Sequence, residues 1–555
     1  MPRRIAGLSA RARGLLILLS ALVLAAVGFG AHRSLGPGDA TTAVPDPAVP
    51  VPAGPRTGDR IVPAPYSATT GSGPAYRLTG RTVVRAAGGD GEQAAEVRRI
   101  AGQLADELRR PTGLPLPVAD DAGPDGIRLD LDPALPGQTG PEGYRLTSDA
   151  TAVRIAARTP AGLYRGTQTL RQLLPPRIES RTPAAAGTEW TVAAVDIDDR
   201  PRYAYRGAML DVARHFFTPA EVRGYIDRLA LYKVNFLHLH LSDDQGWRIE
   251  IPARPALTRV AAGSEVGGTP GGFYTAADYQ EIVRYAQERY LTVVPEIDLP
   301  GHSNAVLAAY PELDCTGSAK PWPYTGIEVG FSTLCPTGDA VFAFTRDVVA
   351  EIARLTPGPY LHIGGDEVKK VAPEAYREFV RRVGAQVTPP GKTPVGWNQT
   401  APGGIGLLQY WDGGGGRDAE LREAAGRGAK VIMSPAGRSY LDMKYDSSYP
   451  LGLAWAGTVD VWSAYSWDPD TLVRLPAGAV LGVEAPLWTE TLDTPAQLDV
   501  MLLPRLPALA ELGWSPWSSH DWGRFRQRLA EEGARWDAAG YAYERRPEVP
   551  WPTGR

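Results

Sequence analysis

Past residue 200 the chain alternates short apolar runs with amphipathic stretches of helical period. Eight runs read as strands: 206–211 (RGAMLD), 234–241 (VNFLHLHL), 291–297 (LTVVPEI), 359–364 (PYLHIG), 393–397 (TPVGW), 405–411 (IGLLQYW), 429–434 (AKVIMS) and 478–487 (GAVLGVEAPL). Their apolar character is continuous rather than alternating, as in strands buried on both faces. Helical stretches separate most of them. In TPAEVRGYIDRLALYKVN, Thr218 is the expected N-cap, Pro219 the first helical residue, and Glu221 the partner that completes a capping box. Val222, Tyr225, Ile226 and Leu229 then share one face. TAADYQEIVRYAQERY repeats this pattern from Thr275. The gap between the fifth and sixth strands is too short for a good helix. Eight βα-like units in this order predict a (β/α)8 TIM barrel, an α/β fold, over 196–545. An open doubly wound sheet would need an early Gly-rich phosphate turn, and the chain has none.

A different texture precedes the barrel. In EQAAEVRRIAGQLADELRRPTG the residues Val97, Ile100, Ala101, Leu104 and Leu108 fall on one helical face. GIRLDL reads as a strand. EGYRLTSDATAVRIAAR reads as a hairpin turning at SDA, and AGLYRGTQTLRQLL as a second helix. Residues 61–195 are therefore expected to form a small α+β domain in front of the barrel. Of the 14 tryptophans only Trp190 lies in this part, and it carries no catalytic constellation.

The N-terminus changes the picture of where the protein works. Arg3, Arg4, Arg11 and Arg13 precede an apolar run from Gly14 to about Ala31, a basic-then-apolar export pattern. Residues 1–35 are expected to be a signal peptide or an N-terminal membrane anchor. Residues 36–60, rich in Pro, Ala, Gly and Thr, are expected to be a linker. The catalytic part is then secreted, or held outside the membrane. The net charge of −4 argues against nucleic acid or an anionic membrane surface as a partner. The two cysteines, Cys315 and Cys335, sit in one loop-like segment; in an exported chain a disulfide is the first expectation, with two free buried thiols as the alternative. Neither a CxxC nor an HExxH spacing is present, so no metal site and no cofactor is expected.

A TIM barrel carries its chemistry at the C-terminal ends of its strands. Following the strands in turn are Asp211, Arg214 and His215; Asp243 and Asp244; Asp298 and His302; Asp366 and Glu367; Trp397; Trp411; Tyr440 and Asp442; and Trp488 with Glu490. Acids and aromatics recur at one end. Aromatic faces stack on the C–H face of a pyranose, carboxylates and an arginine fork hold its hydroxyls, and a carboxylic acid protonates a glycosidic oxygen. His238 and His240 alternate with leucines on a strand and read as satisfied core residues rather than metal ligands. The two adjacent acids in YLHIGGDEV end a strand, where alternation of faces would aim Asp366 and Glu367 at different targets. Gly364 and Gly365 would leave room for the turn and for a sugar.

RGAMLDVARHFF, HLHLSDDQGWRIEI, VPEIDLPGHS, LHIGGDEV and VEAPLWTET resemble, in order and spacing, glycoside hydrolase family 20, the β-N-acetylhexosaminidases, and in particular its exported actinobacterial members. The resemblance covers about residues 60–540. It implies a retaining exo-glycosidase acting on terminal β-linked GlcNAc or GalNAc of oligosaccharides such as chitooligomers or glycans. The substrate's own 2-acetamido oxygen is then the nucleophile, one of the exceptions to the two-carboxylate scheme. The resemblance further implies that Glu367 is general acid and base. Asp366 would hold the acetamide, and Tyr440 would donate to its oxygen. Trp397, Trp411 and Trp488 would wall the pocket. Arg214 and Glu490 would bind the 3- and 4-hydroxyls, Asp442 and Trp455 the 4- and 6-hydroxyl side, and Asp243 with His302 would form a relay that tunes the pKa of Glu367, which an acid working near neutrality needs raised. Asn398 and Gln399 stand where many members carry an acid, which bears on contacts beyond the first sugar. Two other readings are a lacto-N-biosidase-like enzyme that releases a disaccharide, and a carbohydrate-binding protein without turnover. The intact Asp366–Glu367 pair and Tyr440 argue against the latter. A chitinase of the other substrate-assisted barrel family would need a DxxDxDxE strand, which is missing.

Overall fold

All eight expected runs pair into one closed barrel of parallel strands: Tyr205–Asp211, Phe236–His240, Thr292–Glu296, Tyr360–His362, Thr393–Trp397, Leu407–Tyr410, Lys430–Met433 and Val480–Leu487. The last closes on the first, with Tyr205 opposite Gly482 and Leu210 opposite Leu487. The computed structural model describes residues 57–552 apart from 318, 414 and 415. The expected leader and most of the linker lie outside the described residues. The linker's last residues, Gly58–Arg60, form a 3₁₀ turn, and Arg60 pairs with Glu531 at 2.6 Å. Among the described residues no helix is long and apolar enough to cross a membrane.

Local signals set the helix starts. Helix Pro219–Leu231 opens with the Thr218–Glu221 capping box and buries Val222, Tyr225, Ile226 and Leu229. Helix Ala276–Gln287 opens with a Thr275–Asp278 box. The short connection between strands five and six holds only a 3₁₀ segment, Asn398–Gly403. Two short helices, Ala436–Ser439 and Val461–Tyr465, replace one long helix after the seventh strand.

The N-terminal domain is a seven-stranded mixed sheet carrying two helices, Gly91–Thr112 and Pro160–Leu173. The expected face Val97, Ile100, Ala101, Leu104 and Leu108 is buried. The hairpin Tyr144–Ser148 with Ala152–Ala157 is antiparallel, Ser148 opposite Val153. Strand Val195–Asp199 also belongs to this sheet, so the domain runs a few residues past 195. Its last residue, Asp199, joins the domain to the barrel. Its carboxylate accepts from Trp514 Nε1 at 2.8 Å, Lys233 Nζ at 2.8 Å and Tyr144 Oη at 2.6 Å. This fastens the N-terminal domain away from the strand C-termini and leaves that end of the barrel to loops. One of those loops is closed by the expected disulfide between Cys315 and Cys335. It carries Ile327 and Val329 to the rim of the barrel's C-terminal cavity.

Candidate active site

The fourth strand stops at His362, two residues short of the expected end. Gly364, Gly365 and Glu367 then take φ of +66°, +99° and +50°. The two acids are therefore aimed by a left-handed turn and not by the pleat of a strand, which corrects the expectation from alternation. A Cβ on Gly364 would collide with Asp298 Oδ1, and one on Gly365 with Thr400 Cγ2. The glycines make room for neighbouring protein groups rather than for a sugar. Gly365 N–H donates to Asp298 Oδ1 at 2.8 Å, which locks the turn against the third strand's loop.

The turn faces a cavity of about 340 Å³ at the C-terminal end of the barrel. Arg214, His302, Asp366, Glu367 and Glu490 supply its polar walls, and Trp411, Tyr440, Trp455 and Trp488 its aromatic ones. The aromatics form a connected box. Tyr440 lies 6.2 Å from Trp488 and 5.9 Å from Trp455, and Trp411 meets Trp455 edge-on at 5.7 Å. Trp455 is 56% exposed and caps the mouth. Trp397 has no exposed surface and stands one layer deeper, behind Trp488 at 6.0 Å. Asp442 is also a layer back, accepting from Trp488 N–H at 3.4 Å.

Charge in this site is arranged around Asp243. Its carboxylate lies 2.9 Å from Arg214, 2.8 Å from His240 Nε2 and 3.1 Å from His302 Nδ1. Burial works to raise its pKa, but these cations outweigh burial and hold it far below the usual range. Burial likewise opposes charge on His302, yet Asp243, Asp298 and Asp366 raise its pKa well above that of free histidine. His302 Nε2 then faces both acids of the turn, 3.5 Å from Glu367 Oε2 and 4.0 Å from Asp366 Oδ1. For Glu367 burial pushes upward, but the hydrogen bond and charge of His302, with Lys369 and Arg214, bring its pKa below the ordinary value. The relay expected from Asp243 and His302 is present, but in the free enzyme it lowers the pKa of Glu367 where an acid working near neutrality needs a raised one. The reason is that a protonated His302 beside a half-open carboxylate stabilises the anion. Asp366 and Asp298 are both raised, first by burial and then by nearby negative charge. The charge of Asp366 adds to burial at Asp298, whereas His302 works against burial at both. Burial, Asp366 and Asp442 keep the Tyr440 hydroxyl protonated and able to donate. Burial and Glu490 likewise raise Asp442.

Comparison with known proteins matches this arrangement. The model of the glycosyl hydrolase family 20 catalytic domain fits residues 203–517, and that of family 20 domain 2 fits residues 59–200. The chain belongs to glycoside hydrolase family 20. It is 44% identical over 501 residues to a β-N-acetylhexosaminidase of Cellulomonas fimi, covering 89% of this chain and 97% of that one. The family 20 β-N-acetylhexosaminidase structure from Streptomyces coelicolor A3(2) superposes with a TM-score of 0.85 at 52% identity, covering 90% of this chain and 100% of that one. A mutant Streptomyces plicatus β-hexosaminidase in complex with product (GlcNAc) superposes with a TM-score of 0.86 at 52% identity, covering 90% and 99%.

Two residues packed around the site were left unassigned by the chain's pattern alone. Asp298 follows the third strand as an acid among several, and its contact with the glycine turn is visible only in three dimensions. Glu296 sits inside the apolar run LTVVPEI. An acid at a doubly buried strand position must have a partner, and that signal was available.

Two outcomes follow from this geometry. Gly364→Ala should cost roughly 1–3 kcal/mol through strain at positive φ plus the clash with Asp298, read as a lower Tm. Gly80→Ala, with nothing near its added Cβ, should stay within about 0.5 kcal/mol; equal shifts would contradict the tight turn. The second concerns pH. A lowered Glu367 pKa in the free enzyme means the protonated acid is lost at lower pH there than in the complex, where a bound sugar adds desolvation. The alkaline limb of kcat should therefore lie at higher pH than that of kcat/KM. Coincident or reversed limbs would contradict the assignment.

Proposed function

We propose that this protein is a retaining exo-β-N-acetylhexosaminidase whose nucleophile is the substrate's 2-acetamido oxygen. The observation that carries this is the grouping of Asp366 and Glu367 about one imidazole nitrogen, His302 Nε2. Both acids come from the one turn after His362 and meet the same imidazole. Both line the cavity, Glu367 with 24% of its side chain exposed and Asp366 with 13%. The more open acid can exchange a proton, and the more enclosed one, close to Asp298, is suited to hold a polar group of the substrate.

In the first step Glu367 gives its proton to the glycosidic oxygen as the C1–O bond breaks. The acetamide oxygen forms a bond to C1 on the opposite face, closing an oxazolinium ring. Asp366 accepts the acetamide N–H and balances the positive charge that develops there. Tyr440 donates to the acetamide oxygen and orients it. In the second step Glu367, now a carboxylate, takes a proton from water as that water attacks C1, and the ring opens with retention. Trp488 and Trp411 pack on the sugar and its acetamide, with Trp397 supporting Trp488 from behind. Arg214 and Glu490 take the 3- and 4-hydroxyls. Trp455 serves the 4- and 6-hydroxyl side, and Asp442, one layer back from where the hydroxyls were expected to meet it, braces Trp488. The substrates are β-N-acetylhexosaminide oligosaccharides. The basic-then-apolar N-terminus supports a secreted or membrane-anchored enzyme that meets them outside the cell.

A panel of p-nitrophenyl β-glycosides with and without the 2-acetamido group tests the reaction. An internal nucleophile is worth a large effective molarity, so the plain glucoside should be slower by roughly a thousandfold or more. Comparable rates on the two sugars would overturn the reading.

A further inference from the structure

Below the cavity the barrel interior is not filled with aliphatic layers. Two carboxylates, Glu296 and Glu484, and three histidines, His238, His240 and His362, are fully buried there. Glu296 has a partner for each oxygen. Its Oε2 lies 2.5 Å from His240 Nδ1 and 3.1 Å from His238 Nε2. Its Oε1 lies 3.0 Å from His362 Nδ1 and accepts from Trp397 Nε1 at 2.8 Å. Glu484 is satisfied separately, by His238 Nδ1 at 2.9 Å, Gln409 Nε2 at 2.6 Å and Tyr205 Oη at 2.5 Å. None of these groups lines the cavity. A buried ion cluster is weak evidence for stability, since a packed apolar core often does as well. Its connections, however, run in one direction. From Glu296 the path continues through His240 to Asp243, from Asp243 to His302, and from His302 to Glu367. The other oxygen of the same carboxylate ties down Trp397, which backs Trp488.

We propose that Glu296 is a positioning residue for hydrolysis, fixing the proton relay to Glu367 through His240 and the support of the acetamide pocket through Trp397. The proposal rests on the hydrolase reading above. His240 is faced by Glu296, Asp243 and Asp211, and by the edge of Trp488 at 4.7 Å. Burial opposes its charge, but Glu296 and Asp243 push its pKa up to about 9. A doubly protonated His240 donates at once to Glu296 and Asp243, and so keeps Asp243 turned with its other oxygen on His302 Nδ1. That holds His302 Nε2 toward Glu367. Neutralising Glu296 removes one of the carboxylates that hold His240 charged and the contact that fixes its ring, and so loosens one of the three anchors of Asp243.

Glu296→Gln keeps the shape and removes the charge. The test compares kcat/KM of the intact enzyme and this variant on 2,4-dinitrophenyl and 4-methoxyphenyl N-acetyl-β-glucosaminides. The first leaving group needs little protonation and the second needs much. A general acid supplies about 10²–10⁴, so a loosened relay should cost the 4-methoxyphenyl substrate at least about tenfold more than the dinitrophenyl one. A merely structural fault would lower both alike, and equal losses would overturn the relay arm. An N-acetylglucosamine-derived thiazoline reports on the acetamide pocket: its affinity should fall in E296Q, and an unchanged affinity would overturn the Trp397 arm. If E296Q is not recovered folded, His240→Gln is read by the same leaving-group ratio, with the same result deciding the relay. An unmodified enzyme that cleaves neither substrate would refute the hydrolase reading instead.

Discussion

Asp243 is the buried carboxylate on which the site depends. Removing such a group from water is tolerable only when it is paired and hydrogen-bonded. Here Arg214, His240 and His302 provide that pairing at 2.8–3.1 Å. Each of these three cations has a second task. Arg214 reaches into the cavity where sugar hydroxyls bind, and its guanidinium lies 4.8 Å from the Trp488 ring. His302 turns its other nitrogen to the two acids of the glycine turn. His240 links downward to the barrel core. Removal of Asp243 would therefore disturb sugar binding, acid catalysis and core packing together.

The remaining acids follow the same electrostatic rule with the opposite result. Near the cavity carboxylates outnumber cations. Burial first, and then neighbouring carboxylates, raise Asp298, Asp442 and Glu490, against the pull of His302, Arg505 and Arg214. Glu367 differs because it is partly open to solvent and next to a charged histidine. The two neighbours in sequence thus acquire different chemistry from position alone. Glu367, the more open, is lowered by His302, and Asp366, the more enclosed, is raised by burial. The left-handed turn after His362 creates that difference, since it places one acid against Asp298 and the other at the mouth.

The barrel was legible because its signals are local. Continuous apolar runs marked all eight strands, and Thr-Pro-x-Glu and Thr-x-x-Asp marked two helix starts to the residue. The end of the fourth strand was not legible: HIGG reads as a continuation until Asp298, 66 residues upstream of Gly364, is seen to occupy the space a Cβ would need. The catalytic acids and aromatics came from their recurrence at strand ends and from family motifs. The sign of the Glu367 shift could not, because it turns on a 3.5 Å approach of His302. His238 and His240 were correctly placed in the core from their alternation with leucines. Their role as partners of Glu296 and Glu484 needed the barrel to close.

The central claim is that the substrate supplies the nucleophile while Asp366 and Glu367 do separate work. It is tested most directly by a series of aryl β-glucosaminides bearing N-acetyl, N-fluoroacetyl, N-difluoroacetyl and N-trifluoroacetyl groups. Fluorine changes the size of the group little but withdraws electrons from the acetamide oxygen. If that oxygen attacks C1, kcat should fall stepwise along the series, by roughly an order of magnitude or more from first to last, as for any weakening nucleophile. A kcat independent of fluorination would show that another group attacks, and would contradict the account.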